Sequence, residues 1–527
     1  MQPSQRTSDV KICKDDFDCL ISLYGTLSKV FPHLVKWLLF YDDIAAQTLR
    51  LFLKGFTRDV ERISHTNNGD RITQKIITYG NFRTSKISLF NLSHRVFMDI
   101  LMGCCVKGTI PRRIRDQVLG DENMLMWIGR PTITALTSIN DYIHITDGKN
   151  NINFEQYIVV YLKSNLRYFY LQDLNTLQIL ISYLDPEILL KYMLLNISVP
   201  MRKQADSFQS IPSILRSKEM SASNLSKFLQ LIYIALTERH FVGVSDNPEY
   251  RLLERQIIHS LASGHRTLEA IKSNIFIDNE VFVTPLYCPS LKNTFDKVIL
   301  NVSSPIDSRN SENRMSLKTK YFSTINLFYF TTQRSDVYQE LKHLYRTRMC
   351  KFQFLDFVEL RESFEGLNDF LYSDAFSDLI VHVVITWYTS YKSNKEVVLE
   401  NLIVVSMMLC LMFKVPLNEN THSKFHKAVD LIFGIRKYLE GNNVMTILAF
   451  LNKKIDDDIF GSVIDHLLEL SLIPADYFCD LSEDPTYMKK KSKGSLYLAW
   501  QNLQKKYKEI LRNKKNSQSD NPDLVGS

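Results

Sequence analysis

Along most of the chain apolar residues recur at every third or fourth position, the spacing that lines one face of an α-helix. The clearest run sets Leu225, Phe228, Leu229, Ile232, Tyr233 and Leu236 on one stripe, closed by Glu238, Arg239 and His240. A polar turn through Gly243, Ser245, Asp246 and Pro248 follows, and a second stripe carries Leu252, Leu253, Ile257, Ile258 and Leu261. After Gly264, Thr267 is placed to cap a short helix opening at Leu268. The stretch 225–271 therefore predicts helix, loop, helix, turn, helix.

The same spacing organises the flanks. Residues 17–64 predict two or three helices, built on Leu20, Leu23, Leu27, Val30 and Phe31 and then on Leu34, Leu38 and Leu39. A polar loop follows with a possible strand pair over 72–82, and 88–104 predicts an amphipathic helix on Val96, Phe97, Ile100 and Leu101. His94 and Arg95, at its start, read as capping or surface residues, with a ligand pair as the other reading. Arg112, Arg113 and Arg115 fall in a stretch that predicts an exposed loop, a phosphate or acidic-partner patch being the alternative. Further helices are expected over 124–145 and 154–166.

In 166–194, Pro186 cannot continue one helix but suits the first turn of the next, with Asp185 as its cap; Asp173 also reads as a capping residue. Residues 200–224 read as a linker. The β-prone runs 281–286 and 298–302, a polar insertion over 303–314 and the aromatic, β-branched run 316–330 put strands after three helices, which is winged-helix order. Helices are expected again over 337–345, 369–389, 396–413, 425–439, 444–451 and 459–470. The most apolar stretch, 401–415, is too short to span a bilayer and predicts a buried helix. Asp456, Asp457 and Asp458 lack the glycine and terminal glutamate of a calcium loop and read as a helix start.

The fold class expected is mainly α: a multi-helix scaffold (1–220) with an embedded winged-helix domain (221–335), a second helical layer (336–485), a basic amphipathic helix (486–515) and a disordered tail (516–527). Composition agrees, with 45% hydrophobic and 23% charged residues and only 17 Gly and 15 Pro in 527. A net charge of +7 is small for this length and does not describe a nucleic-acid binder. The eight cysteines form no C-x-x-C pair and no zinc-spaced cluster, so they read as buried free thiols in a reducing compartment. With no signal-type N-terminus, cytoplasmic or nuclear residence and no membrane association are expected.

The run "LIYIALTERHFVGV", followed by "ERQIIHSLASGHRTLEAI", resembles the middle of the UBR family of ubiquitin ligases, the N-recognins. In that family a leucine-rich helix ending in Glu-Arg leads into an "R-x-[IL]-I-H-x-L" helix that opens a winged-helix domain. Tyr170, Asp173, Leu177-Gln178 and Asp185-Pro186 are similar to a second family stretch. So is "SLFNLSHRVFMDILMGC", although Leu92-Ser93 stands where the family has proline before its Leu-His-Arg. The likeness extends through "KYFSTINLFYFTTQRSDVYQEL" and thins after Arg348.

Near the C-terminus, Lys489-Lys490-Lys491, Lys493, Lys505, Lys506, Lys508, Arg512, Lys514 and Lys515 surround a stripe of Leu496, Trp500, Leu503, Tyr507 and Leu511. Nucleic acid, a membrane surface and a protein groove all fit a basic amphipathic helix. The resemblance favours the third, since a basic helix ahead of the family's RING helps hold the ubiquitin-conjugating enzyme. It implies E2 contact at Trp500, Leu503, Tyr507 and Lys508. A complete N-recognin also has a zinc-binding UBR box and a RING; neither Cys/His array occurs in this sequence, so no zinc is expected in it. No G-x-S-x-G, phosphate-binding glycine loop or H-E-x-x-H occurs either, and no catalytic or metal-ligating residue is assigned.

The expectation is the central scaffold of an N-degron-pathway ligase, as a fragment or a truncated paralogue, presenting protein substrates to an E2. Whether the chain is itself an enzyme is left open. The alternatives are a winged-helix protein acting on nucleic acid or an adaptor for another ligase. The first is disfavoured because a recognition helix at 268–274 offers only Lys272 and Asn274 besides Glu269.

Overall fold

The computed structural model describes, with short breaks, residues 26–65, 92–138, 167–197, 210–275, 291–329, 341–347, 358–392, 399–415, 419–433 and 443–471, together with Phe352. The protein is mainly helical; the sheet among the described residues is one two-stranded hairpin. The described residues fall into two compact bodies, one made of 1–344 with 355–379 and the other of 345–354 with 380–527.

The first body is built on α1 (Asp42–Ser64), α2 (Leu92–Lys107), α3 (Glu122–Ser138), α4 (Arg167–Tyr183) and α5 (Pro186–Ile197). Helix α2 is enclosed by α1, α3 and α4, and every residue from His94 to Val106 is buried. The amphipathic helix expected here is instead buried all round, as a central helix must be. His94 and Arg95 are accordingly neither capping nor surface residues. Helices α3 and α4 pack closely because Gly129 meets Leu180, leaving no room for a Cβ. Asp185 caps α5 as expected: its Oδ1 accepts from the backbone N–H of Glu187 (2.8 Å) and Ile188 (3.2 Å), and Pro186 opens the helix. Arg112, Arg113 and Arg115 are exposed as predicted, but in a short helical turn, Arg112–Ile114, running into a π-helix over Arg115–Leu119.

Next come α6 (Ala222–Thr237), which packs on α4 and α5, then α7 (Pro248–Ala262), α8 (Leu268–Asn274) and α9 (Leu291–Val302). The pattern had located one cap, Thr267, which accepts from the N–H of Ala270 in α8; Asn247, not singled out in the sequence, accepts from that of Tyr250 ahead of α7, and Gly264 is left-handed (φ 85°) in the turn between the two helices. The β-prone run 298–302 is the last turn of α9. Its Val298, Ile299 and Val302 occupy one buried helical face, so β-branching lost to the period of the buried positions. The strands lie just beyond: β1 (Ser303–Pro305), inside the expected polar insertion, pairs antiparallel with β2 (Met315–Leu317). The rest of the aromatic run turns into a 3-10 helix over Thr319–Thr324.

The segment 358–370 belongs to this first body and straps it. Val244 N–H donates to the Glu359 carbonyl (2.6 Å) and Arg361 N–H to that of Val242 (2.9 Å), while Gly366–Phe370 packs on α4. Helix α10 (Asp374–Lys392) follows, and the division between the bodies falls after its Leu379. A helical stretch over Glu362–Thr389 has the length and composition to cross a membrane, and 67% of its apolar window is buried.

The second body contains α11 (Leu399–Lys414), α12 (Glu419–Phe433), α13 (Val444–Ile455) and α14 (Asp458–Ser471). Helix α11 is the buried helix expected, with Asn401 to Met412 enclosed and α14 along it. Asp457 caps α14, accepting from Ile459 and Phe460 N–H, so the aspartate run is a helix start.

Candidate functional site

Two buried polar clusters stand in the first body, both on segments that carry the family resemblance. The first joins α2, α3 and α4. Arg95 donates from Nε to Asp173 Oδ1 (2.9 Å) and from Nη2 to Oδ2 (2.6 Å), and Thr132 adds its hydroxyl to Oδ1 (3.2 Å). Gln172 donates to the Arg95 carbonyl (2.7 Å). Asp173 is thus one half of an ion pair inside the helix bundle and not a capping residue. The preceding His94 donates from Nδ1 to the Ile128 carbonyl (3.0 Å) with its ring against Phe56 and Trp127. Burial pushes its pKa down to about 4, so it is neutral at physiological pH.

The second cluster follows the end of α6. Residues four apart on α7 share a helical face, and here those residues are Arg255 and His259. Arg255 grips Glu238 with two parallel bonds, Nε to Oε2 (3.0 Å) and Nη2 to Oε1 (2.8 Å), and gives its remaining nitrogen to the Thr324 carbonyl (2.6 Å). Asn326 donates its side-chain amide to Glu238 (2.9 Å) and its backbone N–H to His259 Nε2 (2.8 Å). That bond leaves the His259 proton on Nδ1, which donates to the Arg255 carbonyl (2.6 Å). Tyr329 stacks flat on the His259 ring at 3.9 Å.

Electrostatics fix the protonation states. Burial alone would raise the Glu238 pKa, but the Arg255 guanidinium and the Asn326 amide bring it down to about 2. Burial and the nearby Arg255 charge push His259 down to about 3, and burial holds His240 near 4. The cluster is therefore a buried carboxylate, a largely buried guanidinium and neutral imidazoles. A general base needs a lone pair within reach of a substrate proton, and the His259 lone pair already accepts a backbone N–H. The arrangement holds the loop 324–329 against α6 and α7.

His240 differs: among the described residues neither of its ring nitrogens has a hydrogen-bond partner. Its neighbour Arg239 donates to Leu236 and to Asn368 in the strap (2.7 Å). Cys104, Cys105 and Cys410 are free and buried; burial pushes the Cys104 thiol up to about 11 and the other two higher still, so all three stay protonated. Among the described residues no group of three or more His, Cys, Asp or Glu side chains is placed to hold a metal ion. The residues expected to contact an E2, Trp500, Leu503, Tyr507 and Lys508, lie outside the described residues. So do the strand pair over 72–82, the helix over 154–166 and the β-prone run 281–286.

In the sequence Glu238 and His240 read as the close of a helix and Arg255 and His259 as part of the stretch that carries the resemblance; no local pattern pairs them. Comparison with known proteins adds no family: no family model matches the chain and no curated protein matches it.

Proposed function

We propose that this protein is a helical scaffold of the UBR ubiquitin-ligase type. It would set the distance and orientation between a bound protein substrate and a ubiquitin-conjugating enzyme, and in this chain would perform no bond chemistry. One observation carries the reading. The ionisable residues of the family-like motif, Glu238, Arg255 and His259, form one largely buried, hydrogen-bonded cluster that ties together three segments of chain. Residues spent on holding geometry suit a protein whose use is geometry.

The finer reading, a winged-helix unit at the centre of that scaffold, has support in element order. The three helices expected, α6, α7 and α8, are followed by a fourth, α9, before the β1–β2 hairpin, and Thr267, between α7 and α8, bridges Arg314 at the hairpin edge. A nucleic-acid role is the second reading, and the helix expected to read a groove speaks against it. That helix, α8, offers Lys272 and Asn274 besides Glu269, few donors for reading base edges.

Two measurements separate these readings. Immobilised chain is expected to retain a ubiquitin-conjugating enzyme, and Trp500→Ala with Lys508→Glu should abolish retention. Binding to duplex DNA that weakens steeply with salt, without E2 retention, would replace the scaffold by the nucleic-acid reading.

A further inference from the structure

One face of α1 departs from the rules of a solvated helix at five neighbouring positions. Arg50, Lys54 and Arg58 stand exposed at four-residue intervals, roughly 6 Å apart along the axis. Among the described residues none of the three has a hydrogen-bond or ion-pair partner. Like charges at this spacing repel and weaken a helix, and a face kept only for solubility mixes the two signs. The acids of α1 lie toward its ends: Asp42, bonded to Lys107 (3.1 Å), and Asp43 at the start, Asp59 and Glu61 beside Arg62 at the finish. Residues 44–58 therefore hold three cations and no acid.

Two further departures share that face. Leu51 is 67% exposed, and Gly55, exposed in mid-helix, has nothing within 4 Å of where a Cβ would stand. A helical glycine with no packing reason weakens the helix, and a leucine in water forgoes burial. The five residues fall within an arc of roughly 140° at 3.6 residues per turn. Leu51 and Gly55, four apart, are neighbours, so an apolar knob stands beside bare backbone with the three cations alongside. Departures from local rules that nothing in the fold compensates collect at functional sites.

The occupant has to match a cation row and an apolar notch together. A nucleic-acid backbone would meet the cations and leave Leu51 and Gly55 unused, and one leucine in a cationic face gives a bilayer little to bury. A polypeptide bearing carboxylates meets all five. Glutamates four apart on a helix stand roughly 6 Å apart, and two apart on a strand roughly 6.6 Å, the interval of the cations, while an apolar side chain between them fits against Leu51 in the space over Gly55. Arginine, at two of the three positions, takes a carboxylate with two parallel bonds. We propose that the 50–58 face of α1 is the docking site for an acidic segment of another protein, with carboxylates at that interval and an apolar residue between them. The inference does not rest on the scaffold reading.

The test titrates the full chain with fluorescein-labelled polymers: a random copolymer of glutamate and leucine, polyglutamate, and polyuridylate. The copolymer should bind. Arg50→Gln, Lys54→Gln and Arg58→Gln together should weaken it at least tenfold, whereas Lys489→Gln, Lys490→Gln and Lys491→Gln, which remove the same charge elsewhere in the sequence, should weaken it less than twofold. Leu51→Ser and Gly55→Ala should each weaken the copolymer at least threefold and leave polyglutamate unchanged. The α1 glutamine variant and Gly55→Ala should melt no lower than the wild type, since one relieves repulsion and the other removes a helix-weakening glycine, so lost binding is not lost folding. No binding of the copolymer, equal losses in the two glutamine variants, or copolymer binding untouched by Leu51→Ser and Gly55→Ala would overturn the proposal. So would tighter binding of polyuridylate, or flotation with phosphatidylserine vesicles, that the α1 glutamine variant abolishes, since the face would then serve phosphate. A lower melting temperature in that variant would show that the cations serve the fold, and the proposal fails.

Discussion

Arg95 and Asp173 stand 78 positions apart in the chain and meet in a two-bonded ion pair whose side chains are 1% and 0% exposed. A pair this deep gives up hydration on both sides, and its worth lies in neither charge being left alone. Asp173→Leu or Arg95→Met singly is expected to cost roughly 3–5 kcal/mol, whereas the double replacement should recover much of that loss. Urea unfolding of the three variants checks it; equal loss in the double variant would show that the pair is needed as a pair.

Acid should weaken this protein well above the carboxylate range. His94, His240 and His259 are held at about 4, 4 and 3 when folded, against 6.5 in the open chain. Between those values the unfolded chain takes up protons that the native state refuses, so stability falls as pH drops below 6.5 and stops falling on this account near 3. Each histidine accounts for about 2 kcal/mol between pH 7 and 5. Glu238 works lower: its contribution is present above 4.5 and is lost as pH falls through about 2. Unfolding free energies from urea at pH 7 and 5 should differ strongly in the wild type and by about 2 kcal/mol less in His94→Phe.

The two histidines around Glu238 should respond oppositely to the same replacement. His259→Phe removes the acceptor of the Asn326 N–H, leaving a buried donor unpaired at a cost of roughly 1–3 kcal/mol. Hydrogen exchange at Asn326 should quicken accordingly. His240→Phe deletes two ring nitrogens that bond nothing among the described residues, and is expected to be neutral or stabilising.

Three glycines give a graded series. A Cβ on Gly366 would run into the Ser182 carbonyl oxygen, so Gly366→Ala must push the strap off α4 and cost roughly 1–3 kcal/mol. Gly264→Ala forces a left-handed backbone on alanine, at about 1 kcal/mol. Gly55, inside α1, has nothing within 4 Å of a built Cβ, and Gly55→Ala should stabilise by roughly 0.5–1 kcal/mol. Denaturant melts of the three should fall in that order.

The sequence by itself determined what depends on neighbours a few positions away. The α6, α7 and α8 stripes, the Thr267 and Asp185 caps, the aspartate start of α14 and the buried α11 follow from helical period and from side chains bonding their own backbone. Only the tertiary structure decided what depends on partners far along the chain. Asp173 has the same local features whether it caps a helix or faces Arg95, and the run 298–302 reads equally well as strand or helix until its buried face is known. The return of 358–370 to the first body leaves no trace in periodicity. The closure of Glu238, Arg255, His259 and Asn326 into one cluster follows the same rule: short-range pattern fixes each segment, and burial against distant segments decides which polar side chains must find one another.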